Sequence, residues 1–286
     1  MTSGVETVLV TAPEPRYVAP TTRDSIGRIW APVLINGKGP FRLVLDTGAS
    51  HSAVIQRVVD VAGLPVRTKA AWLRGVTGSA VVSTVKVESL EFGELRVDDV
   101  TVPIVPDAFG GADGVLGGDG LKDMRIRIEF RKDRINIVRS HGAPAPIGYA
   151  VLPFKYSRSR GMRTEVTVGG IKTIAVIDTG GQATVGNNAL REALARSRRE
   201  RDSKQDAIQG VTEEVQHGTW VRVPSIIAGG LVVKNVGVMF TDLHIFDQWD
   251  LRSKPALLVG MDVLGVIDTL IIDYKRGELQ IKPRGG

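Results

Sequence analysis

The sequence predicts a mostly-β protein in which one β-rich domain is written twice, and three observations carry that prediction. Four landmarks recur in the same order along the 286 residues. Between them the apolar residues fall in short Val- and Ile-rich runs separated by Gly, Pro and Asp, as strands and turns require. Helical periodicity is confined to a few short stretches.

The repeat is read from its landmarks, taken in chain order. Val33-Leu34-Ile35, a turn at 36–40 and an apolar run at 41–45 lead into Asp46-Thr47-Gly48. A run at 165–168, a turn at Gly169-Gly170 and a run at 171–177 lead into Asp178-Thr179-Gly180, 132 positions later. Arg74-Gly75-Val76-Thr77-Gly78 is echoed by Gln209-Gly210-Val211-Thr212-Glu213, with the glycines 135 apart. Val115-Leu116-Gly117-Gly118-Asp119 returns as Leu258-Val259-Gly260-Met261-Asp262 at an offset of 143, and 126–137 returns as 270–281 at 144. A duplicated domain with small insertions has this slowly growing offset. The copies span 17–140 and 151–283. An arm at 1–16, kept extended by Pro13 and Pro15, precedes them, and a linker at 141–150, rich in Pro and Gly, joins them.

Within the copies, strands are expected at 81–87, 95–105, 221–227 and 231–240. Helices are expected at 54–62, at 120–124, at 262–266 and at 187–203, where Asn187 caps a face made of Ala189, Leu190, Ala193 and Leu194.

Composition narrows the chemistry. With 43% hydrophobic and 24% charged residues the chain has the balance of a globular protein, and no apolar run reaches the ~20 residues of a membrane span. Cysteine is absent, which removes disulfides, thiolate metal sites and a cysteine nucleophile. The net charge of +6 gathers at 122–134 and 191–204, but both stretches are interleaved with acids and lack Trp and Tyr. They read as a solvated strand edge and helix face, so nucleic acid is not an expected partner. Residues 1–20 lack the charged start and apolar core of a secretory signal; the expectation is a cytoplasmic chain as written, or a periplasmic one if it is a processed form.

The chemistry lies in the doubled Asp-Thr-Gly. Two strands end in a carboxylate, and a pseudo-twofold axis between the copies brings Asp46 and Asp178 together. Neighbouring carboxylates cannot both ionise cheaply, so the pair holds one proton, and its two members divide into a base and an acid. Gly48 and Gly180 lack a Cβ, which lets backbone approach the carboxylates.

Each Asp-Thr-Gly follows an apolar strand, and each is followed by two apolar residues and a Gly. This combination resembles the aspartic protease superfamily, most closely bacterial retropepsin-like proteins with two lobes in one chain, over nearly all of residues 29–282. The resemblance implies the acid-protease fold of two homologous β-barrel lobes with few short helices. It also implies an aspartic endopeptidase that hydrolyses peptide bonds by water attack at an Asp46/Asp178 dyad. No metal or cofactor is implied; the substrate is a peptide or protein, and a monomer is expected because one chain holds both half-sites. In such proteins Thr47 and Thr179 hydrogen-bond across to the opposite loop, and Ser50 supports the outer oxygen of Asp46. Gln182 stands where Ser50 has its counterpart, so the resemblance points to an asymmetric dyad with Asp46 the better supported. Gly75, Val76, Thr77 and Gly78, and Gly210, Val211 and Thr212, lie where the family has flap hairpins over the substrate; an ordinary surface hairpin is the alternative.

Other residues have plainer readings. Trp72 and Trp220 flank the flaps, as cleft walls or as packing. Gly117 and Gly260 let a strand pass close behind each aspartate loop, and Asp119 and Asp262 cap helices or make surface contacts. Asp268-Thr269 is followed by Leu270, not Gly, and is set aside. His51, His141, His217 and His244 share no ligand spacing. Two other functions compete: a nucleotide phosphotransferase using two Asp-x-Gly phosphate loops, which would alternate strands with long helices, and a non-catalytic peptide-binding module, for which Gln182 is the main support.

Overall fold

The computed structural model describes residues 8–11, 30–76, 78–118, 121, 123–132, 134–157, 161–197, 201–209 and 215–284. The arm carries β1 (Val8–Thr11), and the first copy contains β2 (Trp30–Ile35), β3 (Lys38–Leu45), β4 (Ala53–Ile55), α1 (Gln56–Ala62), β5 (Val66–Arg74) and β6 (Ser79–Phe92). It continues with β7 (Leu95–Val105), β8 (Gly114–Leu116), β9 (Met124–Glu129), a 3-10 turn at Phe130–Lys132 and β10 (Arg134–Arg139). The second copy opens with β11 (Ala150–Pro153), β12 (Lys155–Ser157), β13 (Gly161–Val168), β14 (Ile171–Ile177), β15 (Val185–Gly186), α2 (Asn188–Arg196) and β16 (Arg201–Gln209). It ends with β17 (Val215–Ala228), β18 (Leu231–Phe240), α3 (His244–Gln248), β19 (Ala256–Val259), α4 (Met261–Leu264), β20 (Ile267–Asp273) and β21 (Glu278–Pro283).

Alternation of buried and exposed residues makes each strand two-faced, as in β2, where Ala31, Val33 and Ile35 turn inward and Pro32 and Leu34 outward. Burying one face of a twisted sheet closes it: β2, β3, β8, β4, β7 and β6 form a ring shut by the β6–β2 pairing. In the second copy β13, β14, β19, β15, β18 and β17 close in the same way. The order and the sense of every pairing agree between the rings, including the parallel insertion of β8 beside β3 and of β19 beside β14. In each ring the strand that carries the aspartate therefore sits against the strand that leads to the apolar-apolar-Gly motif. The fold is mostly β, without the alternating strands and long helices of a phosphotransferase among the described residues.

A third sheet, β10-β9-β20-β21-β11, joins the copies. Its central pairing sets Arg127 opposite Ile271, two positions that the 144-residue offset makes counterparts. The pseudo-twofold axis therefore runs between β9 and β20. Arg125 of β9 donates from Nη1 to Asp273 of β20 (2.7 Å) and from Nη2 to Gln280 of β21 (2.8 Å), and Ser140 Oγ donates to Asp273 (2.7 Å). Asp273 and Gln280 are fully buried. At the outer end of β9, Glu129 accepts from Arg134 Nε (2.7 Å) and Lys132 Nζ (3.1 Å). The Arg134 hydrogen bond, with help from Lys132, outweighs burial and holds the Glu129 carboxyl down at about 2. A depressed carboxyl stabilises the fold above its ordinary value of 4.5 and loses that contribution as pH falls through about 2. Glu129→Gln should flatten the acid limb of stability in this window, read as urea midpoints from about pH 6 to about pH 2; an acid limb as steep as that of the native chain would count against the assignment.

Two expected helices differ from the structure. The helix begins as expected, with Asn187 Oδ1 accepting from Leu190 N–H (3.0 Å), but it ends at Arg196, and 201–209 instead pairs with β17 as half of a hairpin. The stretch holds helix formers such as Arg, Lys and Gln, so cross-strand pairing here overrides local propensity. At 120–124 the described residues Leu121 and Asp123 are not helical, and Met124 already opens β9. The described arm residues Val8–Thr11 are extended and pair in parallel with Leu231–Lys234. Among the described residues no helix is long and apolar enough to cross a membrane.

Candidate active site

Leu45 and Ile177 end β3 and β14 fully inside their lobes, and the chain then turns so that the two Asp-Thr-Gly loops meet. The loops interlock through their threonines. Thr47 Oγ1 donates to Ile177 O (2.7 Å) and accepts from Thr179 N–H (3.2 Å). In mirror fashion Thr179 Oγ1 donates to Leu45 O (2.6 Å) and accepts from Thr47 N–H (3.1 Å). Both threonines are buried, and each hydroxyl donates once and accepts once across the loops. Four such bonds, at ~1 kcal/mol each, hold the loops in one register.

The carboxyls sit beside this lock. Asp46 Oδ1 accepts from Gly48 N–H (2.8 Å) and Ala49 N–H (2.9 Å); Asp178 Oδ1 accepts from Gly180 N–H (3.0 Å) and Gly181 N–H (2.9 Å). The backbone thus supports the two carboxyls alike. Each glycine also faces the opposite aspartate: a Cβ on Gly180 would lie 2.4 Å from Asp46 Cγ, and one on Gly48 would lie 3.0 Å from Asp178 Cγ. Asp178 is buried while Asp46 is half-buried. Burial first, then the charge of Asp46 and a hydrogen bond with it, push the Asp178 carboxyl well above the carboxylate range, against the pull of its two amides. Ser50 is half-buried on the Asp46 loop, and the Gln182 side chain is exposed while its main-chain carbonyl accepts from Asp262 N–H (3.1 Å).

Behind each loop runs the second motif. A Cβ on Gly117 would lie 2.4 Å from the His51 carbonyl, and one on Gly260 would lie 2.6 Å from the Ala183 carbonyl, so only glycine permits the crossing. The crossing is fastened by two hydroxyls that sequence reasoning passed over. Gly117 N–H donates to Ser52 Oγ and Gly260 N–H to Thr184 Oγ1, both at 3.1 Å. Each hydroxyl lies six residues after its aspartate, and that shared offset was a readable signal. Asp262 is no surface contact: it accepts from Thr184 Oγ1 (2.6 Å), Thr184 N–H (2.8 Å) and Val263 N–H (2.8 Å), and it lies in the first turn of α4, whose N-cap is Gly260. Burial pushes its carboxyl up to about 6 in spite of those donors.

Gly75, Val76 and Gly78 form the tip of the β5–β6 hairpin, closed by Gly75 N–H donating to Gly78 O (2.8 Å). Thr77, and the whole of Gly210, Val211 and Thr212, lie outside the described residues, as does Asp119. Trp72 is exposed on β5 opposite Val81, and Trp220 is half-buried on β17 opposite Met239. Asp268 pairs with Lys282 (3.3 Å) on the sheet that joins the copies. His51, His141 and His217 are exposed and His244 is half-buried on α3. Among the described residues no group of three or more His, Asp and Glu side chains is placed to hold a metal ion.

Residues 31–119 and 164–263 both match the family model described as Aspartyl protease. The two matches carry one Asp-Thr-Gly loop each. Among solved structures the chain is similar to an aspartic proteinase from Irpex lacteus, with a TM-score of 0.55 and 12% identity over 91% of this chain and 95% of that one. At that identity the likeness concerns the fold. No curated protein sequence matches the chain.

Proposed function

This chain belongs to the aspartyl protease family, and we propose that it is an active endopeptidase whose acid–base pair is Asp46 and Asp178. The observation that carries the reading is the shared hydrogen bond and mutual charge of two carboxyls, on loops tied together by Thr47 and Thr179. Two apposed carboxyls cost stability, and a fold retains such a cost where the groups have work to do.

In this mechanism Asp178, the more buried member, holds the shared proton and donates a hydrogen bond to the scissile carbonyl oxygen. Asp46 carries the charge and takes a proton from a water as its oxygen attacks the carbonyl carbon. The tetrahedral intermediate collapses by breaking the C–N bond, with the proton from Asp46 passing to the leaving nitrogen. No acyl-enzyme forms. The amides of Gly48, Ala49, Gly180 and Gly181 and the Thr47/Thr179 lock hold the carboxyls in place, and Ser50 supports the Asp46 loop. Gln182 sits outside this arrangement, which is why its departure from the family pattern leaves the mechanism intact.

The domains proposed are a first lobe at 17–140 and a second at 151–283, acting as a monomer on an extended peptide that adds as a strand beneath the flaps. The first flap is Gly75, Val76, Thr77 and Gly78, and the second is Gly210, Val211 and Thr212. The working state is proposed to be one proton on the pair, held by the raised Asp178 carboxyl, with the activity optimum expected on the acid side of neutral. Hydrolysis of a mixed peptide library between about pH 3 and 8 tests the reading. Cleavage should peak below neutral and fade as the pair loses its proton. Activity rising steadily to about pH 9, or no cleavage at any pH, would overturn it.

A further inference from the structure

We infer that the segment 241–255 of the second lobe is a seat for the first lobe's flap, and that Val76, Ser79 and His244 are positioning residues which fix that flap for hydrolysis. This rests on the protease reading above and goes beyond it, because it concerns a segment that the repeat does not contain. The connection from β7 to β8 in the first lobe is eight residues long, 106–113, and carries no helix. Its counterpart from β18 to β19 is fifteen residues long, 241–255, and carries α3.

The hairpin tip meets that extra segment in three independent ways. Val76 leaves its own lobe and packs against an apolar cluster of the second, formed by Leu243, Phe246, Trp249 and Leu251 of the insertion with Val176 of β14 and Leu258 of β19. Its carbonyl accepts from Ile245 N–H (3.3 Å), in the first turn of α3, where the preceding Leu243 offers no side-chain cap. Ser79, the first residue after the tip, bonds through Oγ to His244 Nε2 (3.1 Å), and Gln248 Nε2 reaches the same ring nitrogen (3.2 Å). A primary amide nitrogen only donates, so Nε2 is the acceptor of the His244 ring.

Physically, a two-stranded hairpin arm is a weak lever by itself. Anchoring its tip on the facing lobe ties the flap to the same β14 strand that delivers Asp178. The distance from flap to acid–base pair then depends on packing between lobes rather than on the stiffness of the hairpin. A small displacement of such a positioning element is costly to the reaction. Leu243, Phe246 and Trp249 recur every third residue, which drives α3 to bury one face and present His244 to the flap.

The test uses the full chain with Val76→Ala, His244→Ala and His244→Gln, read by hydrogen exchange at 73–80 and by kinetics on the best library peptide. Both alanine variants should speed exchange at 73–80 while 95–105 stays as in the native chain. They should also lower kcat/KM by roughly ten- to a hundredfold, with the pH profile of kcat unmoved because the acid–base pair is untouched. His244→Gln keeps a side-chain acceptor and should recover part of the loss. Unchanged exchange in both alanine variants overturns the seat. Faster exchange with kcat/KM equal to or above native overturns the positioning role. If the native chain cleaves nothing, the protease reading and the positioning role fall together, and exchange alone still decides whether the flap is seated.

Discussion

Asp46→Asn and Asp178→Asn should each lower kcat/KM by roughly a thousandfold or more while making the fold more stable at neutral pH. An asparagine keeps the shape of the side chain and an oxygen for the amides that now donate to Asp46 Oδ1 or Asp178 Oδ1. It can neither take a proton from water nor hold one for the substrate, and a thousandfold is about 4 kcal/mol of barrier. The opposite effect on stability follows from the direction of the Asp178 shift. A carboxyl raised above its ordinary 3.8 binds its proton more tightly when folded, so the native chain loses stability as pH rises from that value through the raised one. An amide does not titrate, and with either variant two ionisable carboxyls no longer face each other. Peptide hydrolysis and thermal midpoints at about pH 7 check both halves. A variant that keeps a tenth of native activity sinks the acid–base assignment, and one that unfolds more easily than native sinks the account of the pair's cost.

The largest stability loss is expected away from the site, at Asp273. Its carboxylate is fully buried and accepts from Arg125 (2.7 Å), Ser140 (2.7 Å) and Arg276 N–H (3.0 Å), binding the first copy to the second. Asp273→Ala leaves the Arg125 guanidinium, only 16% exposed, without its counter-charge, at a cost of about 3–5 kcal/mol. Much of that cost is the stranded charge rather than the worth of the pair. Arg125→Met combined with Asp273→Leu should therefore recover most of the loss. Urea unfolding of Asp273→Ala and of the double variant decides this; a loss under about 1 kcal/mol for Asp273→Ala would mean that water reaches the pair.

Much of this was legible in the chain. The doubled Asp-Thr-Gly and the paired strands before it are local patterns, carried by a few consecutive residues, and the two rings follow the strand runs read from alternation. The four strands read at 81–87, 95–105, 221–227 and 231–240 all lie within observed strands, two of them with the same ends. What escaped is equally specific. The stretch 201–209 lacks the alternation of a strand and is poor in β-branched residues, and its β17 partner decides it. Ser52 and Thr184 look like any surface hydroxyl until Gly117 and Gly260 arrive from 65 and 76 residues away. Helix α3 has no echo in the first copy, so comparing the copies could not find it.

The amino-acid sequence alone determined that the protein is one β-rich half repeated, with a strand-ending carboxylate in each half and a glycine wherever backbone must cross backbone. Those are consequences of periodicity and side-chain size, which neighbours along the chain set. Only the tertiary structure decided that Asp178 is the buried carboxyl and Asp46 the wetter one, although their loops read almost alike. It also decided that Asp262 turns inward while Gln182 turns out, and that Val76 packs against the core of the other lobe. Desolvation and charge act through space between residues more than a hundred positions apart, so their outcome exists only once the two halves are packed.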